Sequence, residues 1–361
     1  MTLKQTLVAT LAFLVVGASA ISCGNSAKNL SLSPDGKSAT ANCYIVTEAG
    51  AYKFQTVKGN SNESVGSVVK AEVLWESFGT DETPSVGDLV RNASYKDGYI
   101  TFETASTFRE GNAVIAAKDA SGKILWSWHI WLTDQPQGQE YYNGAGTMMD
   151  RNLGATSATP GEVGALGLLY QWGRKDPFLG SSSISSNTVA QSTISWPSLV
   201  SSNLSRGTIE YATAHPTTFI THNSNNYDWY YTGSYSTDDS RWQSSKTIYD
   251  PCPAGWRVPD GGGSGVWSKA GFDDTIYDST NEGISFSISS PSTTWYPASG
   301  YRYDFVGGLY FVGYCGYYWS ASPSSNGSNF AYGLSFNYDG YVNPSDYYYR
   351  AYGRSVRCLQ E

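Results

Sequence analysis

Asp250-Pro251-Cys252-Pro253-Ala254-Gly255-Trp256-Arg257-Val258-Pro259 reads as the anchor of a β-rich domain. Prolines on both sides of Cys252 set a rigid entry turn, Trp256 is expected as a wedge into the core, and Arg257 is placed to meet a buried carboxylate such as Asp150. Of the five cysteines, Cys252 pairs best with Cys358, which ties the start of the last subdomain to the chain end. Cys43 is expected as a buried thiol, and a free thiol at Cys315 would be odd. With no CxxC and no paired histidine spacing, zinc is not indicated.

Around this anchor, everything after Ser285 alternates short strands with Gly, Ser and Pro turns. Residues 180–205 and 221–245 are Ser-, Asn- and Thr-rich loops, the second with added aromatics. One short helix is expected, around 166–172. The domain so outlined spans 140–361. A polar linker, 135–139, with Pro136 and Gly138, precedes it.

Residues 30–134 read as an all-β sandwich of immunoglobulin-like size. Strands are expected over 68–75, 99–104, 113–118 and 123–132, punctuated by turns such as Lys96-Asp97-Gly98 and Asp119-Ala120-Ser121-Gly122. The last two make a hairpin. In its second arm, Trp126, Trp128, Ile130 and Leu132 share one face, and Ser127, His129 and Trp131 the other. His129 stands between tryptophans with nothing to pair with, so a structural role is expected.

Residues 1–22 have the pattern of an export signal: Lys4 in a short n-region, an apolar run over 7–16, and small residues from Gly17 to Ala20. Two processing schemes fit, cleavage after Ala20 or cleavage before Cys23 with lipidation of that cysteine. The second also accounts for a polar tether over 23–29 and for one of an odd number of cysteines. The chain is thus expected to be exported to the outer membrane or cell surface, held by a lipid anchor. About 340 residues then remain, enough for two domains. Of the 361 residues, 40% are apolar and 15% charged, which describes a folded, charge-poor exported protein. A formal charge of −8 without a basic cluster argues against nucleic acid and anionic membrane surfaces as partners.

Between Tyr296 and Cys358 lie fourteen tyrosines, set among Ser, Asn, Gly and Asp, with no lysine and no glutamate. Tyrosine offers a large, rigid, amphipathic contact area at low entropy cost, and the small polar residues supply adaptable hydrogen bonds. This is the composition of a recognition surface. A buried core would favour Val, Ile and Leu and would have to satisfy every phenol. The expected ligand-binding residues are Tyr303, Tyr310, Tyr314, Tyr317, Tyr338, Tyr341, Tyr347, Tyr348 and Tyr349, some of them necessarily buried. Trp256, Arg257, Trp319, Arg354 and Arg357 are expected to hold the frame.

Five landmarks run in order through the second domain: Met149-Asp150-Arg151-Asn152-Leu153-Gly154, Gly167-Leu168-Leu169-Tyr170-Gln171-Trp172-Gly173, the Asp250 to Pro259 stretch, Gly316-Tyr317-Tyr318-Trp319-Ser320-Ala321-Ser322, and Gly353-Arg354-Ser355-Val356-Arg357-Cys358. Together they resemble the Fibrobacter succinogenes major paralogous domain of exported Bacteroidetes proteins. That resemblance implies an α+β C-type-lectin-like fold with few helices and long loops. A fixed frame around a mixture of Tyr, Asp, Ser, Phe, Val, Gly, Leu and Cys also resembles C-type-lectin-like proteins whose C-terminal segment is rewritten by diversity-generating retroelements. Cys315 would then be a product of diversification. Where a calcium-binding lectin would carry Trp-Asn-Asp, this chain has Trp319-Ser320-Ala321, so a metal-free site is expected.

No catalytic constellation emerges. His215 and His222 lack a nucleophile or metal partner nearby, and Asp238-Asp239 and Asp273-Asp274 read as solvated turns. The expectation is therefore a non-enzymatic adhesin or pilus-tip-type protein without cofactor, binding a protein or glycan on another cell or surface. The alternatives are a structural pilus subunit and a carbohydrate-binding component of glycan uptake.

Overall fold

The computed structural model describes residues 27–223, 226–233 and 237–361. The signal sequence over 1–22, Cys23 and the tether as far as Ser26 lie outside the described residues. The chain is mostly β-sheet, and the described residues hold only two α-helices, of six and five residues.

Eight strands build the first unit: β1 (Lys28–Asn29), β2 (Cys43–Val46), β3 (Ala51–Gln55), β4 (Lys70–Ser77), β5 (Val90–Lys96), β6 (Tyr99–Thr104), β7 (Gly111–Lys118) and β8 (Ile124–Leu132). They form two four-stranded sheets, ordered β1-β3-β6-β5 and β2-β8-β7-β4. Period-two alternation explains the core between them. Phe54, Ile100 and Phe102 from one sheet meet Ile115, Trp126, Trp128 and Ile130 from the other, with the Phe54 and Trp128 rings 5.1 Å apart. The β7–β8 hairpin forms where the alternation placed it.

The second face of β8 is not solvated. Trp131, His129 and Ser127 are all buried against the second unit. Trp131 Nε1–H donates to Ala155 O at 2.9 Å, Asn112 donates to Gly154 O, and Ser127 donates to Asp176. His129 sits 2.8 Å from Asn112 Oδ1, and burial pulls its pKa down to about 3, so the ring is neutral.

The second unit continues with β9 (Gly138–Tyr141), which starts inside the segment expected as linker, and β10 (Gly146–Met149). Next come β11 (Leu169–Gln171), β12 (Val200–Ser201), α1 (Ile209–Ala214), β13 (Ile220–Thr221), β14 (Trp256–Arg257) and α2 (Val266–Ala270). The chain closes with β15 (Tyr277–Asp278), β16 (Gly283–Ser287), β17 (Thr293–Pro297), β18 (Tyr301–Arg302), β19 (Leu309–Tyr310), β20 (Cys315–Pro323), β21 (Phe330–Asn337), β22 (Val342–Tyr349), β23 (Gly353–Ser355) and β24 (Leu359–Gln360). The largest sheet runs β19-β18-β23-β20-β21-β22, with β11 added on β23.

Two local expectations are corrected. The helix around 166–172 is a strand: Gly167 and Gly173 take φ of +71° and +78°, and β11 pairs with β23. A short apolar run has no decisive periodicity, and the left-handed glycines at both ends favour extension. Arg257 does not meet Asp150. It donates to Asp260 at 2.7 Å, whereas Asp150 pairs with Arg151. Trp256 is only half-buried, packed on the margin of the core.

The landmarks converge. Cys252 and Cys358 form a disulfide spanning 106 residues, and Asp250 accepts from the Cys252 and Val258 amides. Arg357 donates to Asn152 Oδ1 and Thr294 Oγ1, while Trp172 and Trp319 donate to Ser320 O and Tyr170 O. Trp75, Trp131, Trp172, Trp242 and Trp319 share one core cluster that crosses between the units. This frame carries β18 to β23.

Candidate recognition face

Strand pleating sorts the tyrosines. Successive side chains point to opposite faces, so Tyr317 and Tyr318 diverge. Tyr318 goes inward with Leu334 and Phe336, and its hydroxyl donates to Pro297 O at 2.6 Å. Tyr296 is likewise buried, bonded to Tyr141 and Trp267. Every phenol placed in the core has a hydrogen-bond partner except Tyr170.

On the other face, Tyr317, opposite Ser335, and Tyr348, opposite Ala331, come together at 5.5 Å. Tyr301 bridges to Tyr317 and Tyr352 at 5.2 and 5.1 Å, and Tyr303 packs on Tyr310 at 5.4 Å. Tyr303, Tyr310, Tyr317 and Tyr348 of the expected site therefore form one aromatic cluster with Tyr301, Tyr352 and Phe311. Burial pushes the Tyr301 phenol up to about 12 and also raises Tyr317, Tyr348 and Tyr352, so these rings are neutral hydrogen-bonding groups.

Beneath them lies Arg354, 1% exposed, its guanidinium 3.5 Å from the Tyr348 centroid and within 5.4 Å of Tyr317, Trp319 and Tyr352. None of its three side-chain nitrogens has a hydrogen-bond partner among the described residues. Burial lowers its pKa, against the opposing influence of the Tyr348 and Tyr317 hydroxyls and Asp346. Cation–π attraction is thus its main compensation, and it pins the four rings in place.

The remaining expected residues lie elsewhere. Tyr347 and Tyr349 contact Phe330, with Tyr349 also stacked at 4.3 Å on Tyr227. Tyr314 and Tyr338 meet at 5.9 Å and are 54% and 57% exposed; Tyr341 is as open and touches no other ring among the described residues. Phe305, Val306 and Phe311 are exposed apolar neighbours. Phe311 holds φ +58°, a conformation bulky residues seldom adopt. The hydroxyls of Tyr303, Tyr310, Tyr314, Tyr338, Tyr341 and Tyr347 make no hydrogen bond to the described residues.

Sequence reasoning left Tyr227 and Tyr352 out of the site. Tyr227 carries a signal only as an aromatic in a polar loop, and Tyr352 follows the strand that its neighbours occupy. Tyr301, Phe305 and Phe311 lie in the tyrosine-rich segment but were not among the expected contacts.

The groups that could suggest catalysis have structural partners. His222 Nδ1 lies 2.9 Å from Asp304 and its ring touches Tyr227 and Phe305. Asp239 pairs with Arg350, Asp238 accepts from Ser240, and Asp274 accepts from the Val342 amide. Among the described residues no group of three His, Cys, Asp or Glu side chains could hold a metal ion, and no helix is long and apolar enough to cross a membrane. Cys43 and Cys315 are free, buried thiols whose pKa values burial raises.

Comparison with known protein families, curated proteins and solved structures finds no match to this chain.

Proposed function

We propose that this chain is a surface-exposed, non-enzymatic recognition protein of the adhesin or pilus-tip type, which binds a protein or glycan through its tyrosine-rich face. The observation that carries this reading is the contrast between hydroxyls. Core tyrosines such as Tyr296 and Tyr318 have partners, whereas the exposed Tyr310, Tyr314, Tyr338, Tyr341 and Tyr347 carry phenols with no hydrogen-bond partner among the described residues. Aromatic rings of this kind, rigid and wet at one end, are the residues that dominate binding hot spots.

In this reading the first unit is an immunoglobulin-like assembly or stalk module, lipid-anchored through Cys23, and the second is a C-type-lectin-like domain of the resembled families. The mixture of residue types at the face fits a segment open to retroelement diversification.

The test is binding of the purified chain to cells and to protein and glycan arrays, beside the variant Tyr310→Ser/Tyr314→Ser/Tyr347→Ser. All three residues are exposed, so the fold should survive. Loss of at least 10-fold in affinity is expected. Unchanged binding by a folded triple variant would overturn the assignment.

A further inference from the structure

A cleft of about 200 Å³ opens between the 189–199 loop, the Thr217–Phe219 segment and the turn that joins β18 to β19. Phe178, Trp196 and Phe219 form its wall, with ring centroids 5.2 Å (Phe178 to Phe219) and 6.2 Å (Phe178 to Trp196) apart. Leu199, exposed on one side, stands at the rim. Gly307, at φ +63°, closes the turn against Phe219 and Leu199, where an added Cβ would sit 3.2–3.3 Å from both side chains.

One charge lines this cleft, that of Arg302. Its Nε–H donates to Leu179 O at 2.9 Å and an Nη1–H to Gly307 O at 2.7 Å. Both acceptors are neutral carbonyls, which fix the guanidinium without neutralising it. Among the described residues Nη2 has no acceptor and Arg302 forms no ion pair. Burial with no opposing acid lowers its pKa to about 10, so the group stays charged at neutral pH. A fixed, half-buried cation without a counter-charge among the described residues, walled by aromatic rings, is complementary to an anion that carries an apolar face. The volume is below that of drug-sized ligand sites, roughly 300–1,000 Å³, and suits one ring.

We propose that this cleft binds a ring-borne carboxylate, with the carboxylate on the free edge of Arg302 and the ring against Trp196 and Phe219. Such a group comes from an acidic sugar or from an aromatic acid. The site is independent of the tyrosine face: Tyr301 and Arg302 are successive residues of β18, whose side chains alternate, and Tyr301 belongs to the tyrosine cluster while Arg302 lines the cleft.

The test uses saturation-transfer NMR and calorimetry on the whole chain with glucuronate and benzoate, against glucose and benzamide as uncharged counterparts. At least one of the two acids should bind and its uncharged counterpart should be at least 10-fold weaker; which acid binds names the source. Leu199→Glu, a rim substitution that leaves the fold alone, and Arg302→Met should each weaken that acid at least 10-fold. The variant Tyr310→Ser/Tyr314→Ser/Tyr347→Ser should bind it as the unaltered chain does. The proposal is overturned if neither acid binds, if charge makes no difference, if folded Leu199→Glu binds normally, or if the tyrosine variant loses binding.

Discussion

Replacing Tyr348 by Ser while leaving its neighbour Tyr347 in place separates the two sides of β22. Tyr348 is half-buried and covers Arg354 at 3.5 Å, with Tyr317 and Tyr352 at its edges. Tyrosine buries roughly 150–250 Å² when enclosed, so half of that, at about 25 cal/mol per Å², gives ~2.5 kcal/mol. The cation–π contact adds up to ~2 kcal/mol, and water reaching the uncovered guanidinium returns a similar amount. Tyr348→Ser should therefore cost about 2.5 kcal/mol. Tyr347, exposed and held only by an edge contact with Phe330, should cost no more than ~0.5 kcal/mol on the same change. Replacing the whole run 347–349 by Ser should therefore cost more than ~2.5 kcal/mol, most of it at Tyr348. Urea denaturation of the two variants measures the difference. Arg354→Met completes a double-mutant cycle: it removes a buried cation with no hydrogen bond, so by itself it should be neutral or stabilising, and should couple to Tyr348→Ser by about 1–2 kcal/mol. Equal stabilities for the two Tyr→Ser variants, with no coupling to Arg354, would refute the idea that this ring and this cation hold each other.

Three further outcomes are expected. Removing the Cys252–Cys358 bridge with Cys252→Ala/Cys358→Ala frees a loop of sequence separation 106, which corresponds to about 4.7 kcal/mol in the chain-entropy account; an unchanged urea midpoint would contradict it. His129 has a folded pKa near 3, below its unfolded value, so the unfolded chain binds the extra proton between the two. Stability from this residue is full above about pH 6.5 and falls as pH drops, by about 2.7 kcal/mol at pH 4.5; the difference between the unaltered chain and His129→Gln, followed by urea denaturation from pH 7 to 4.5, should shrink by that amount. Iodoacetamide should label neither Cys43 nor Cys315 in the folded chain, and should label both in urea, since each thiol is buried with a raised pKa.

Periodicity and turn chemistry made the β7–β8 hairpin legible, because alternation with period two survives any tertiary context in which one face is apolar. What lay beyond reach was the fate of the other face. Trp131 had no assigned partner until the 149–155 segment covered it, and a strand polar on one side gives no sign that a second domain will bury that side. The 166–172 run failed for a different reason: Leu-Leu-Tyr-Gln-Trp is too short and too apolar to show a period, and the flanking left-handed glycines together with the long-range pairing with β23 select extension. Charge partners were the least legible. Arg257 took the nearest carboxylate along its own chain, Asp260, since a local pair needs no tertiary alignment, and the more distant Asp150 went to the adjacent Arg151.

Composition identified a tyrosine-rich face and could not divide it, because the same residue serves two purposes that differ only in what its hydroxyl meets. Tyr318 and Tyr296 are core residues whose phenols were satisfied inside the fold at the cost of dedicated partners, Pro297 O, Tyr141 and Trp267. Tyr317 and Tyr348 are intermediate, their rings committed to Arg354 and their edges left near the surface. Tyr310, Tyr314, Tyr338, Tyr341 and Tyr347 are committed to nothing polar within the described residues. The gradation has a mechanical consequence. Of the outer rings, Tyr310 rests through Tyr301 and Tyr303 on the layer that Arg354 pins, so this part of the face is ordered in advance and the ordering cost that weakens flexible interfaces is reduced there. Substitution at the exposed positions Tyr314, Tyr338, Tyr341 and Tyr347 should therefore leave the Arg354 layer intact, because none of these rings contacts it.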